Sequence, residues 1–243
     1  MPNTHTHVSS TVHDVILDLA QWFTEISHVA IQDHGHFRVA LSGGSTPKAF
    51  YSYLGQEPNQ NLIDWSRTEI FFGDERDVPP THPDNNFKMA NKALLSRLKT
   101  PPLAIYRWHT EYAPSMALAD YRSHLTEGGT TVYPPQLDLI LLGLGPEGHT
   151  ASLFPEQPVL DSQDIVAHVF VPSHTSWRYT FTLPLINHAR HVAFLVTGES
   201  KRDIISQIFI HHDDVPATRV QPVSGETHWF LDKASAQDIV SLS

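Results

Sequence analysis

Short apolar runs alternate with stretches of helical spacing along the whole chain, and that alternation leaves few folds open. Val12, Val15, Ile16, Leu19, Ala20, Phe23 and Ile26 recur at helical intervals, and His34-Gly35 supplies a stop. The spacing predicts a helix over 12–31, followed by a strand at 37–41. The rhythm continues with a strand at 68–72, a helix over 84–98 closed by Pro101-Pro102, a strand at 103–106, a helix over 114–125 and a strand at 137–142. Beyond it the pattern predicts strands at 165–171, 178–183 and 191–196, a helix over 199–210 and a short strand at 228–231. Crossovers between parallel strands are right-handed, so this order implies an α/β fold. The expected form is a mostly parallel twisted sheet with helices on both faces, Rossmann-like in outline, with Leu139-Ile140-Leu141-Leu142 as a central strand. The 243 residues, 40% of them hydrophobic, suit one α/β domain over 1–243, and no repeat or linker divides them.

Charge and residue usage then remove whole classes of function. Sixteen Lys and Arg against 26 Asp and Glu leave a net charge of −10, which opposes broad attraction to nucleic acid or to an anionic membrane surface. No apolar run approaches the roughly 18 residues that span a bilayer, and the opening Met1-Pro2-Asn3-Thr4-His5-Thr6-His7 lacks the pattern of a secretory signal. A soluble, cytoplasmic protein is expected. With no cysteine, a thiol nucleophile, Cys-ligated zinc and iron–sulfur clusters are excluded. The 17 histidines scatter along the chain without His-Glu-x-x-His spacing, so no metal site is expected. Between Arg122 and Arg178 there are six acids and no Lys or Arg, so a cationic clamp for an anionic ligand must come from outside that block.

Three loops carry candidate chemistry. Ser42, Gly43, Gly44, Ser45 and Thr46 follow the strand at 37–41 and precede a helical segment, Lys48 to Leu54. Glycines admit an anion to the backbone, hydroxyls donate to it, Thr46 can cap the helix and Pro47 suits its first position. An ordinary tight turn would share part of this composition, and the Gly-Lys-Ser/Thr ending of a Walker A loop is absent. Gly143-Leu144-Gly145-Pro146-Glu147-Gly148 matches G-x-G-x-x-G in form, but Pro155 arrives too soon for the helix that dinucleotide binding needs. What this loop offers is His149, suited to general-base work, with Glu147 two residues away to orient or charge it. The third loop, Gly73-Asp74-Glu75-Arg76-Asp77, brings a guanidinium fork for an oxyanion or phosphate. Arg178 and Lys201 stand as isolated cations. No G-x-S-x-G elbow exists, which disfavours a serine acyl-enzyme.

Together these segments resemble the 6-phosphogluconolactonases, of the same superfamily as glucosamine-6-phosphate deaminase. The matching pieces are Leu41 to Pro47; Asp74-Glu75-Arg76 with Asn85-Asn86-Phe87; Leu144 to Pro155; Arg178 with Thr180 to Pro184; Thr197-Gly198 to Lys201; and Trp229 to Asp232. The deaminase branch usually has Tyr after Asp-Glu and Ala-Phe-Asn-Glu-Pro after Gly-His. Arg76 and Ala151-Ser152-Leu153-Phe154-Pro155 favour the lactonase. The resemblance implies hydrolysis of 6-phospho-D-glucono-1,5-lactone in the oxidative pentose phosphate pathway, without metal or cofactor, by a monomer or weak homodimer. On that reading the catalytic set is His149, Glu147, Arg76 and Asp74, and the 6-phosphate sits on Ser42 to Thr46 with Arg178 and Lys201. The family's usual Asp two residues before the histidine is Glu147 here, which keeps the charge and lengthens the reach by one methylene. The alternatives are a sugar-phosphate deaminase or isomerase with a base in the Asp74 region, and a noncatalytic sugar-phosphate sensor.

Overall fold

The computed structural model describes residues 3–126 and 133–240, so Met1 and Pro2 of the opening lie outside them. In chain order the first elements are β1 (Thr4–Ser9), α1 (Val12–His34), β2 (Phe37–Leu41), α2 (Ser45–Leu54), β3 (Thr68–Phe72), β4 (Asp74–Arg76) and α3 (Asn86–Ala93). There follow β5 (Ala104–Ile105), α4 (Pro114–Thr126), β6 (Leu139–Leu142), β7 (Val166–Val171) and β8 (Ser176–Phe181). The last are α5 (Leu183–Ile186), β9 (His191–Val196), α6 (Arg202–Ser206), β10 (Glu226–Asp232) and α7 (Gln237–Val240).

Seven strands form one parallel sheet in the order β1-β10-β9-β6-β2-β3-β5, with β6 at its centre as the four-residue apolar run predicts. Successive strand side chains point to opposite faces, and every residue of β2 and β6 is buried. Both faces of the central sheet are therefore covered, which is the condition a parallel sheet requires. No helix of the described residues is long and apolar enough to cross a membrane.

Two strands escape the periodicity. β1 reads Thr-His-Thr-His-Val-Ser and is held as an edge strand by parallel pairing with β10. β4 is the charged loop Asp74-Glu75-Arg76, which pairs antiparallel with β8. With β7 it makes a second, three-stranded sheet that the alternation does not foretell. The predicted long helices also end early. The segment expected over 84–98 is helical from Asn86 to Ala93 and then tightens into a single turn at Leu95–Arg97. That expected over 199–210 is split into a tight turn, α6 and a wider turn at Gln207–His211.

Two buried tyrosines fix the carboxyl ends of neighbouring strands. The Tyr51 hydroxyl accepts from the Ser42 N–H and donates to the Ser42 carbonyl, both at 2.9 Å. The Tyr121 hydroxyl does the same to Phe72, at 2.7 and 3.0 Å, and stacks its ring on Trp108 at 3.6 Å. Each hydroxyl satisfies backbone groups that the ladder leaves at the strand's end, where burial would otherwise make them costly. The loops after β2 and β3 thus leave the sheet from rigid points.

Candidate active site

The loops after β2, β3, β6 and β9 converge at the carboxyl edge of the parallel sheet, where open α/β folds place their sites. They enclose a cavity of about 330 Å³ lined by Ser42 to Pro47, Asp74, Arg76, Gly143 to Pro146, His149, Arg178, Thr197 and Lys201 among others. Ten of the eleven residues expected from sequence line it, and the eleventh, Glu147, touches it through His149.

The loop after β2 is built as an open helix end. Gly44 occupies the N-cap of α2 at φ 112°, a conformation at ease only in glycine, and no side chain caps the helix. Gly43 is equally constrained, because a Cβ there would lie 2.1 Å from Asn86 Oδ1. Thr46 does not cap α2 as expected. It sits in the first turn, and its hydroxyl lies 2.7 Å from that of Thr197, tying the loop to the end of β9. Pro47 falls third in the helix rather than first, still inside the turn whose N–H groups lack helical partners. Ser42 Oγ is buried without a hydrogen-bond partner among the described residues.

Pairing of β4 with β8 sets Arg76 directly opposite Arg178. Arg76 Nη1 donates to the Asp84 carbonyl at 2.8 Å, while its Nε is buried and unpartnered among the described residues. Arg178 lies over the Phe154 ring at 5.7 Å, and burial together with the Arg76 charge lowers its affinity for its proton. Lys201 Nζ donates to the Leu144 carbonyl at 2.7 Å; burial lowers its pKa against the pull of Glu147. Three cations therefore face one small cavity, and two of them repel each other.

His149 is held on three sides. Its ring stacks on Phe154 at 4.0 Å, and Gly145 leaves it room, since a Cβ there would stand 1.9 Å from Nδ1. Nδ1 approaches Glu147 Oε2 to 3.1 Å, but the two lack the alignment of a hydrogen bond. Burial, only partly offset by Glu147, holds His149 below the usual imidazole range, so it is neutral near pH 7. Partial burial works against the charge of Glu147, yet its backbone, His149 and His174 together keep it below the usual carboxylate range. With Nδ1 facing the carboxylate, Nε2 is the nitrogen left for chemistry.

Asp74 lines the cavity and is tied to its neighbours. Its carboxylate accepts from Ser152 Oγ at 2.9 Å and from Asn86 Nδ2 at 3.2 Å, and its carbonyl accepts from the same amide. Glu75 turns away and caps α3, accepting from the N–H groups of Asn86 and Phe87; burial outweighs these bonds and raises it to about 7. Asn86, Ser152 and Phe154 were not singled out as site residues. Their signal was present in Asn85-Asn86-Phe87 and Ala151-Ser152-Leu153-Phe154, but only three-dimensional contact reveals the work they do. After Gly148 the chain closes into a turn bridged between Thr150 and Leu153, not a helix.

Fold and site together define an α/β enzyme with a cationic pocket and a neutral, oriented histidine. A family model described as glucosamine-6-phosphate isomerases/6-phosphogluconolactonase matches residues 10–229, and the chain belongs to that family. It is 40% identical to a 6-phosphogluconolactonase of Synechocystis sp. and 38% identical to one of Nostoc sp., in both cases over 86% of this chain and 88% of the relative. The solved 6-phosphogluconolactonase of Trypanosoma cruzi superposes with a TM-score of 0.84 at 28% identity, over 97% of each chain.

Proposed function

We propose that this protein is a hydrolase of 6-phospho-D-glucono-1,5-lactone in the oxidative pentose phosphate pathway. The observation that carries the reading is the convergence of an open helix N-terminus, three cations and a neutral histidine on one cavity. The substrate's 6-phosphate rests on Ser42 to Thr46 and the first turn of α2, with Arg178 and Lys201 as counter-charges. Water attacks the lactone carbonyl while His149 Nε2 takes its proton. The tetrahedral oxyanion forms beside Arg76, a donor of the kind that contributes roughly 3 kcal/mol. Collapse breaks the bond from the carbonyl carbon to the ring oxygen, and His149 returns its proton to that oxygen. Asp74 holds Asn86 and Ser152 in place rather than moving a proton. A doubly charged phosphate ester does not cross membranes, which accords with a cytoplasmic setting.

The test is the decay of freshly generated 6-phosphogluconolactone with and without protein, beside its unphosphorylated analogue, because such lactones also open spontaneously. Acceleration confined to the phosphorylated lactone is expected. A rate no higher than background removes the reading, and ammonia release from glucosamine 6-phosphate would then establish the deaminase alternative.

Glu147 raises the pKa of His149, and activity requires the neutral imidazole, so turnover falls as pH drops through that pKa. In Glu147→Gln the support is lost and the imidazole loses its proton more readily. The acidic limb of the pH–rate profile is expected to move to lower pH, with a modest loss of kcat. An unmoved limb would strip Glu147 of its role.

A further inference from the structure

We infer that the opposite edge of the sheet carries a binding site for a single divalent transition metal, zinc foremost, formed by His5, Glu226 and His228 with His191 beside them. The histidines look scattered in the sequence, but parallel pairing gathers them. His5 lies in register with His228, and Glu226 with His191, so all four side chains share one face of β1, β10 and β9.

The donor atoms are spaced for a common ion. His228 Nε2 is 3.2 Å from Glu226 Oε2, His5 Nε2 is 3.8 Å from Oε1, and the three donors lie within 4.8 Å of one another. Tetrahedral zinc with bonds of about 2.1 Å separates its ligands by roughly 3.4 Å, so a small inward movement suffices. His191 Nδ1 is buried, has no hydrogen-bond partner among the described residues and lies 3.8 Å from Glu226 Oε2, beside the three-residue set rather than within it.

A surrounding shell supports the ligands. His228 Nδ1 lies 3.2 Å from His7 Nε2, an arrangement that leaves His228 Nε2 free for the ion when Nδ1 carries the proton. Trp22 of α1 packs over the His228 ring at 4.5 Å and meets His191 edge-on, which fixes both imidazoles. His5 is exposed while His228 is buried, so an ion enters from the β1 side. Imidazole nitrogen with one carboxylate is a donor set suited to zinc rather than to magnesium or calcium. All four groups stand at the amino ends of their strands, away from the catalytic cavity. The ion's work is to fasten β1, an edge strand with few apolar side chains, to the body of the sheet.

The experiment uses untagged protein stripped with a chelator, since a polyhistidine tag would itself bind the ion. Calorimetric titration with zinc chloride is expected to show one equivalent bound, and Tm to rise with zinc concentration by mass action. His5→Gln combined with Glu226→Gln should abolish both effects and leave lactone hydrolysis unchanged. His7→Phe, which removes only the supporting contact, should weaken binding by roughly tenfold to a hundredfold. Cobalt in place of zinc should give visible ligand-field bands that vanish in the double variant. Absence of stoichiometric binding in the unaltered protein overturns the site, as does binding that survives the double substitution.

Discussion

His149→Ala is expected to lower kcat by roughly a hundredfold to ten-thousandfold, the range associated with a positioned acid–base group. Asp74 is engaged by Ser152 and Asn86, and Glu147 meets His149 from outside the lining, so neither is expected to restore the lost function. The acidic limb of the pH–rate profile should vanish with the imidazole, since on the proposed mechanism that is the group whose protonation stops the reaction. Because the ring stacks on Phe154, the alanine variant also leaves a void, and His149→Gln serves as the companion that fills it. Product affinity should be retained in both. Near-normal turnover in a variant that still binds product would assign the base elsewhere.

Removing the cationic clamp should act on binding instead. A hydrogen bond to a charged group contributes roughly 1.5–3 kcal/mol, so Arg178→Met or Lys201→Met is expected to raise KM for the phosphorylated lactone by about tenfold to a hundredfold. The double variant should lose on the order of a thousandfold if the two contacts are independent. kcat at saturation should change little, as expected when an interaction is equally strong before and during the chemical step. The unphosphorylated lactone provides the contrast, and its kcat/KM should be nearly indifferent to both substitutions. Equal losses on the two substrates would move these side chains from phosphate binding to the reacting centre.

The sheet, its central strand and most of the cavity were legible in the sequence because each rests on a local pattern. Apolar periodicity marks β2, β3, β6 and β9, and their loops announce themselves through glycine, hydroxyl and charge. β1 and β4 were not legible, since Thr-His-Thr-His and Asp-Glu-Arg have no apolar face and become strands only through partners far along the chain. Thr46 was misplaced for a related reason. The residue that starts α2 is decided by the backbone of Gly44, which frees the threonine hydroxyl to meet Thr197, more than a hundred residues away. The His5, Glu226 and His228 cluster was invisible because His5 meets the other two, which are neighbours on β10, only through strand register.

The pairing that sets Arg76 opposite Arg178 has a practical side. Folding forces two like charges together, and the site is electrostatically loaded before any ligand arrives. On the proposed reading, a bound multivalent oxyanion is expected to relieve that repulsion. A neutral sugar would gain nothing from that release, whereas sulfate or inorganic phosphate is expected to compete for it without being consumed. Buffer composition would thereby enter the measured affinity of the enzyme, and assays run in phosphate would understate it.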